Sequence, residues 1–174
     1  MRNGGSIAEH VAHATAVLEA AGLAAADARQ DAGVLARHVL RWDLAHWLGH
    51  QRDDAPGGFE SAFARAIARR AAREPVAYIT GEREFYWRSF AVSPAVLVPR
   101  PETELLIDAA VEHAAVFAAP RIVDVGTGSG CIAVTMAAEL NRATVVATDI
   151  SAAALDVAAA NAARHGVADR IEFR

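Results

Sequence analysis

Hydrophobic positions fall into two regimes along this chain. From Ser6 to about residue 73 they recur every three or four places, the spacing of amphipathic helices. Val11, Ala14, Val17 and Leu18 make the first stripe, opened by a Ser6–Glu9 capping box and ended at Gly22. A second helix is predicted from about Ala25 to Arg41, with Val34, Leu35 and Val39 inward, followed by a short amphipathic piece from Leu44 to Leu48. Asp53-Asp54-Ala55-Pro56-Gly57-Gly58 reads as a loop, and Phe59, Phe63 and Ile67 at spacing four give the core face of a last helix. At Glu74–Pro75 the pattern changes. Phe85-Tyr86-Trp87 and Phe90-Ala91-Val92 suggest two short strands about a turn at Arg88–Ser89. Pro101, Glu102 and Glu104 suit the opening of a helix that runs to about Val116. After Pro120, strand and helix patterns alternate: 121–125, 130–140, 144–148, 151–165 and a strand from Ile171. That order is βαβαβ, half of a doubly wound parallel sheet. The expected fold is therefore α/β: an N-terminal helical bundle over 1–73, a β-hairpin linker over 74–98, and a partial Rossmann-like domain over 99–174.

The chemistry concentrates where the first parallel strand meets its helix, at Asp124-Val125-Gly126-Thr127-Gly128-Ser129-Gly130-Cys131. Glycines at every second position let the backbone turn sharply and meet a ligand with no side chain between. The helix that follows aims its unsatisfied N–H groups at whatever is bound. Asp149 closes the next apolar run, so it stands at the carboxyl edge of the neighbouring strand, where a carboxylate can accept from both hydroxyls of a ribose. The candidate nucleoside site is thus Gly126, Thr127, Gly128, Ser129, Gly130 and Asp149. A dinucleotide fingerprint wants its third small residue where Cys131 stands; here Gly130 comes one place earlier. That G-x-G-x-G spacing, with an acid two places before it, resembles motif I of the S-adenosylmethionine-dependent methyltransferases.

Further motifs extend the resemblance over the whole chain. Glu74-Pro75-Val76-Ala77-Tyr78-Ile79-Thr80-Gly81-Glu82-Arg83-Glu84-Phe85 looks like the linker of the HemK-type protein-(glutamine-N5) methyltransferases, and Val96 to Glu104 and Asp124 to Val134 match the same family in the same order. The run Pro99-Arg100-Pro101-Glu102-Thr103-Glu104 favours its release factor branch over the ribosomal-protein branch. The resemblance implies a class I methyltransferase sheet, S-adenosyl-L-methionine as cofactor, and a class 1 peptide-chain release factor as partner. The acceptor would be the glutamine amide of that partner's Gly-Gly-Gln motif. Asp149 would take the ribose hydroxyls and Ile150 an adenine face. Asp124 would meet the cofactor's ammonium or tether the loop, and Arg100, Glu102 and Thr103 would either line the acceptor side or cap their helix. The family places the acceptor amide on an Asn-Pro-Pro-Tyr motif, which occurs nowhere in these 174 residues. No catalytic residue is therefore assigned. These residues are expected to be an inactive piece of a longer enzyme, with an exposed apolar edge on the first parallel strand.

Composition narrows the alternatives. Residues 1–75 carry nine arginines and nine acids, and residues 76–174 carry eight and twelve, which gives no footprint for a nucleic acid or an anionic membrane. One cysteine excludes an intramolecular disulfide. Nothing in the opening residues reads as a signal peptide and no run is long enough to span a bilayer, so a cytoplasmic enzyme is expected, with no membrane contact. His46 and His50 have the spacing of a metal pair without a third ligand, so no metal is expected. Cys131 is read as a packed small side chain, and Arg65, Arg69 and Arg73 as a solvated stripe that could instead dock a protein. The rival functions are a nicotinamide-dependent oxidoreductase, an adenine-N6 nucleic-acid methyltransferase, and a non-catalytic module that binds release factors.

Overall fold

The computed structural model describes residues 5–174; Met1 to Gly4, which open the run read for a leader, lie outside them. The chain divides into two compact units, Met1–Thr80 and Gly81–Arg174.

The first unit is built from α1 (Ile7–Ala20), α2 (Ala25–Leu40), α3 (Leu44–His50), α4 (Phe59–Ala71) and α5 (Val76–Thr80). The capping box forms as its sequence dictates: Ser6 N donates to Glu9 Oε2 at 2.7 Å and Glu9 N to Ser6 Oγ at 3.3 Å. Ile7, Leu18, Leu35, Phe59, Phe63 and Ile67 close into one core, with the Phe59 and Phe63 rings stacked 5.0 Å apart. Val17 is exposed rather than inward, because the α1 stripe follows Ile7, Ala14 and Leu18 and Val17 falls about eighty degrees from its centre. On α2 the buried positions are alanines (Ala28, Ala32 and Ala36) beside Leu35, while Val34 and Val39 are half-buried. The half-buried pair Arg70–Asp31, 2.7 Å apart, ties α4 to α2. Pro75 does not simply stop the helical region: its carbonyl accepts from Tyr78 N and Ile79 N and so opens α5, an element absent from the sequence reading.

The second unit begins with a hairpin of β1 (Glu82–Phe85) and β2 (Arg88–Ala91). A 3₁₀ turn at Pro101–Thr103 leads into α6 (Glu104–Ala114), and then β3 (Arg121–Val125), α7 (Cys131–Glu139), β4 (Thr144–Thr148), α8 (Ala152–Arg164) and β5 (Ile171–Phe173) follow. Sheet order is β3-β4-β5, all parallel, with Asp124 opposite Ala147 and Val125 opposite Thr148. The strands alternate in burial: Asp124, Val145 and Ala147 pack inward among the helices, while Val123 and Val125 are exposed on the other face of the edge strand β3. Phe85, Phe90, Ile107, Val134 and Met136 fill the core between hairpin, helices and sheet.

The hairpin turn differs from the sequence reading. Its two central residues are Tyr86 and Trp87, not Arg88 and Ser89, and both have positive φ (47° and 61°), as a type I′ turn requires. Two aromatic residues are poor occupants of that region, at roughly 1–2 kcal/mol each, so no turn residue marked it. Outside contacts hold it instead. Tyr86 N donates to Glu104 Oε1 at 3.0 Å, Tyr86 Oη to Asp108 Oδ1 at 2.8 Å, and Arg88 reaches Glu139 at 2.7 Å and the Tyr86 carbonyl at 3.1 Å. The Trp87 side chain is 87% exposed and contributes little packing. Trp87→Gly should therefore stabilise the protein by about 0.5–1 kcal/mol, since relief of left-handed strain exceeds the added freedom of the unfolded chain. Chemical denaturation of the two proteins, compared at equal slope, measures that difference.

Candidate functional site

The glycine loop takes its shape from the partners its backbone finds at the end of β4. Gly126 N and Thr127 N both donate to the Thr148 carbonyl, at 2.8 and 2.9 Å, so the chain leaving β3 folds over the end of β4. Gly126, Gly128 and Gly130 all have positive φ (75°, 55° and 76°), which explains three glycines at alternate positions. They differ in what surrounds them. A Cβ on Gly126 would meet nothing within 4 Å, and one on Gly128 only the Gly126 carbonyl at 4.0 Å. On Gly130 it would strike Ala158 of α8, 3.0 Å from Cβ and 3.1 Å from Cα. The first two glycines keep a surface open; the third lets the loop seat against a helix.

Two carboxylates hold the loop, with opposite electrostatics. Asp124 is buried at the end of β3, and its Oδ2 accepts from Thr127 Oγ1 at 2.7 Å and from Ala133 N, in the first turn of α7, at 3.2 Å. Burial pushes its acidity below normal, so its pKa is raised although both hydrogen bonds act the other way. Asp149 follows β4 at the surface. Its Oδ1 accepts from Ser151 N and its Oδ2 from Gly128 N, both at 3.0 Å, and these two N–H groups hold its carboxyl below the usual carboxylate range. Asp149 thus contributes stability that is present above its unfolded pKa and lost as pH falls through the folded one. For Asp124 the sign reverses: its ionised form costs stability at neutral pH, and the cost is relieved on acidification.

The residues picked from sequence are not equally engaged. Gly126, Thr127, Gly128, Ser129, Gly130 and Asp149 come together as one substructure, with Asp149 bonded to the loop. Ile150 is wholly exposed beside that carboxylate. Arg100 and Glu102 are exposed ahead of α6, where Thr103 N donates to the Arg100 carbonyl at 3.1 Å. Cys131 sits in the first turn of α7, yet burial pushes its thiol up to about 11, against any thiolate chemistry at neutral pH. His46 and His50 stack at 4.0 Å, and among the described residues no group of three or more His, Cys, Asp or Glu gathers as a metal site. Arg69 pairs with Glu74, and Arg73 donates to the carbonyls of Ala21 and Gly22, so two of the three arginines in the stripe serve the first unit's own fold.

Asn161 escaped the sequence reading. It is fully buried on α8, where its amide bonds the backbone of both Ala91 and Ser129. A signal was present: Asn161 continues the apolar stripe of Ala154 and Ala158, and a polar residue in such a stripe needs buried partners.

Comparison with known proteins agrees in both units. Residues 9–81 match the PrmC N-terminal domain and residues 101–174 the methyltransferase small domain. The release factor glutamine methyltransferase of Bordetella pertussis is 49% identical over 138 residues, covering 79% of this chain and 51% of that protein. The enzyme of the same name from Koribacter versatilis is 47% identical over 146 residues, covering 84% of this chain and 51% of that protein. The chain thus spans about half the length of the curated relatives it matches. Among solved structures, an RNA methyltransferase from Salinibacter ruber in complex with S-adenosyl-L-homocysteine is 34% identical over 44% of this chain and 48% of its own, with a TM-score of 0.39.

Gly130→Ala tests how the loop is seated. Positive φ and the contact with Ala158 should together lower the unfolding free energy by about 2 kcal/mol or more, read as a drop in the denaturation midpoint.

Proposed function

We propose that this chain, which belongs to the family of the release factor glutamine methyltransferases, binds S-adenosyl-L-methionine on the Asp124–Gly130 loop and Asp149. In the whole protein, the transferred methyl goes to the side-chain amide N5 of the glutamine in a release factor's Gly-Gly-Gln motif. The observation that carries the cofactor reading is the division of labour in the loop. Gly126 and Gly128 present bare backbone to open space, while Asp149, ionised through the neutral range, is fixed by the loop's own Gly128 N–H. A nucleoside fits such a site. Each Asp149 oxygen already accepts one N–H and keeps a second lone pair for a ribose hydroxyl. Ile150 stands next to it with an apolar surface for a base. Ser129 and Thr127 contribute main chain, the Thr127 hydroxyl being committed to Asp124.

When bound, the cofactor supplies an electrophilic methyl on a sulfonium sulfur. An amide nitrogen is a weak nucleophile because its lone pair is delocalised into the carbonyl, so the protein's work is to orient it and accept its N–H bonds. The family resemblance gives that work to an Asn-Pro-Pro-Tyr motif, and methyl transfer is expected only from a chain that supplies one. Asp124 acts inside the loop: it tethers Thr127 and the start of α7, which keeps the backbone in the shape that leaves its front open. A release factor substrate places the reaction in the cytoplasm. The first unit, matched to the PrmC N-terminal domain, is the natural candidate to recognise that partner. A ribosomal-protein glutamine and a binding-only role are the alternatives on the same site.

Calorimetric titration with S-adenosylhomocysteine and with NAD separates the methyltransferase reading from an oxidoreductase. Binding of the first and not the second is expected; saturable NAD binding on these glycines would overturn the reading. Asp149→Ala should weaken S-adenosylhomocysteine by about 10–100-fold, the worth of one or two hydrogen bonds to a charged acceptor. Asp149 itself should cost wild-type affinity nothing between about pH 5 and 8, because a carboxyl held below its usual range does not titrate there.

A further inference from the structure

The back of the loop is gripped by one face of α8. Ala158 and Asn161 lie one turn apart and both touch it: Ala158 packs under Gly130, and Asn161 Nδ2 donates to the Ser129 carbonyl at 2.8 Å. The same Asn161 amide also completes the outer edge of the hairpin. Ala91 N donates to Asn161 Oδ1 at 2.8 Å, and Asn161 Nδ2 donates to the Ala91 carbonyl at 2.9 Å. Asn161 therefore serves β2 as a one-residue substitute for a third strand, the ladder on the other side being made with β1 through contacts such as Val92 N to the Gly81 carbonyl. Its oxygen and both amide hydrogens are used, at zero exposure.

No other side chain can make this set of bonds. The site needs one acceptor and two donors on a planar group of fixed length, aimed at two backbone segments 38 positions apart (Ala91 and Ser129). Aspartate keeps the acceptor and loses both donors. Two carbonyl oxygens would then face a carboxylate in a buried place, which is unfavourable on both hydrogen-bond and electrostatic grounds.

We infer that Asn161 is a positioning residue for cofactor binding, which sets the Ser129 peptide, and through it the open Gly126–Gly128 surface, by locking the loop to the hairpin at Ala91. This rests on the reading of the loop as the S-adenosylmethionine site. It predicts a coupling: whatever orders the loop from the front orders Ala91, which does not belong to it, from behind.

The decisive variant is Asn161→Asp, titrated with S-adenosylhomocysteine from about pH 5 to 8 alongside a measurement of its thermal midpoint. Affinity at pH 8 should fall about tenfold or more for two lost donors, and recover on acidification as the carboxyl takes up a proton and regains one donor. Wild type titrated over the same range is the reference, and the recovery is read as the change in the ratio of the two affinities. A folded Asn161→Asp protein that binds like wild type at every pH overturns the inference and leaves the cofactor site standing. Wild type that fails to bind S-adenosylhomocysteine sinks the cofactor reading itself, and this inference with it. If the variant does not fold, amide exchange in the wild-type protein decides. Saturating S-adenosylhomocysteine should slow exchange of the Ala91 N–H at least about threefold more than that of Val92, whose bond lies inside the hairpin; equal slowing of the two overturns the coupling.

Discussion

A surface of bare backbone can exist only if every polar group and every contact it needs lies behind it. That constraint organises the second unit. The loop after β3 turns the amides of Gly126 and Thr127 toward the Thr148 carbonyl, the Thr127 hydroxyl toward Asp124, and the Ser129 carbonyl toward Asn161. Gly128 N points to a group at the surface, the carboxylate of Asp149. Were any of these partners missing, a buried donor or acceptor would go unpaired at a cost of about 1–3 kcal/mol, and the loop would relax into the space it keeps clear.

The same constraint explains the contrast between the two aspartates. Asp124 lies inside and is destabilised as an anion by desolvation, so its role is limited to fixing nearby donors. Asp149 lies outside, is stabilised as an anion by two N–H groups, and retains capacity to accept more. Two carboxylates at the ends of adjacent parallel strands thus divide into one that ties the loop from inside and one that stays ionised at the surface, decided by burial rather than by residue type.

Much of this was legible in the chain. Strands 121–125 and 144–148 coincide with β3 and β4, because β-branched runs bounded by Pro, Gly and Asp leave little ambiguity. Phe59, Phe63 and Ile67 were readable as core from spacing alone, and they are buried. The hairpin was legible in kind but not in register. Its strands begin earlier than the aromatic runs suggest, and the turn falls on Tyr86–Trp87, where tertiary bonds from Glu104, Asp108 and Arg88 override a poor local preference. The helix after Pro75 was missed because a proline can start a turn as well as end one. Asn161 was missed for a different reason: its partners lie 70 and 32 positions away, and no window of local pattern spans that distance.

Cys131 has one further implication. It is the sole sulfhydryl in these 174 residues, and burial that holds its thiol up to about 11 leaves little thiolate at neutral pH, so it should be labelled slowly. A cysteine introduced at an exposed position should therefore take up a fluorophore or spin label well ahead of the native one near neutral pH.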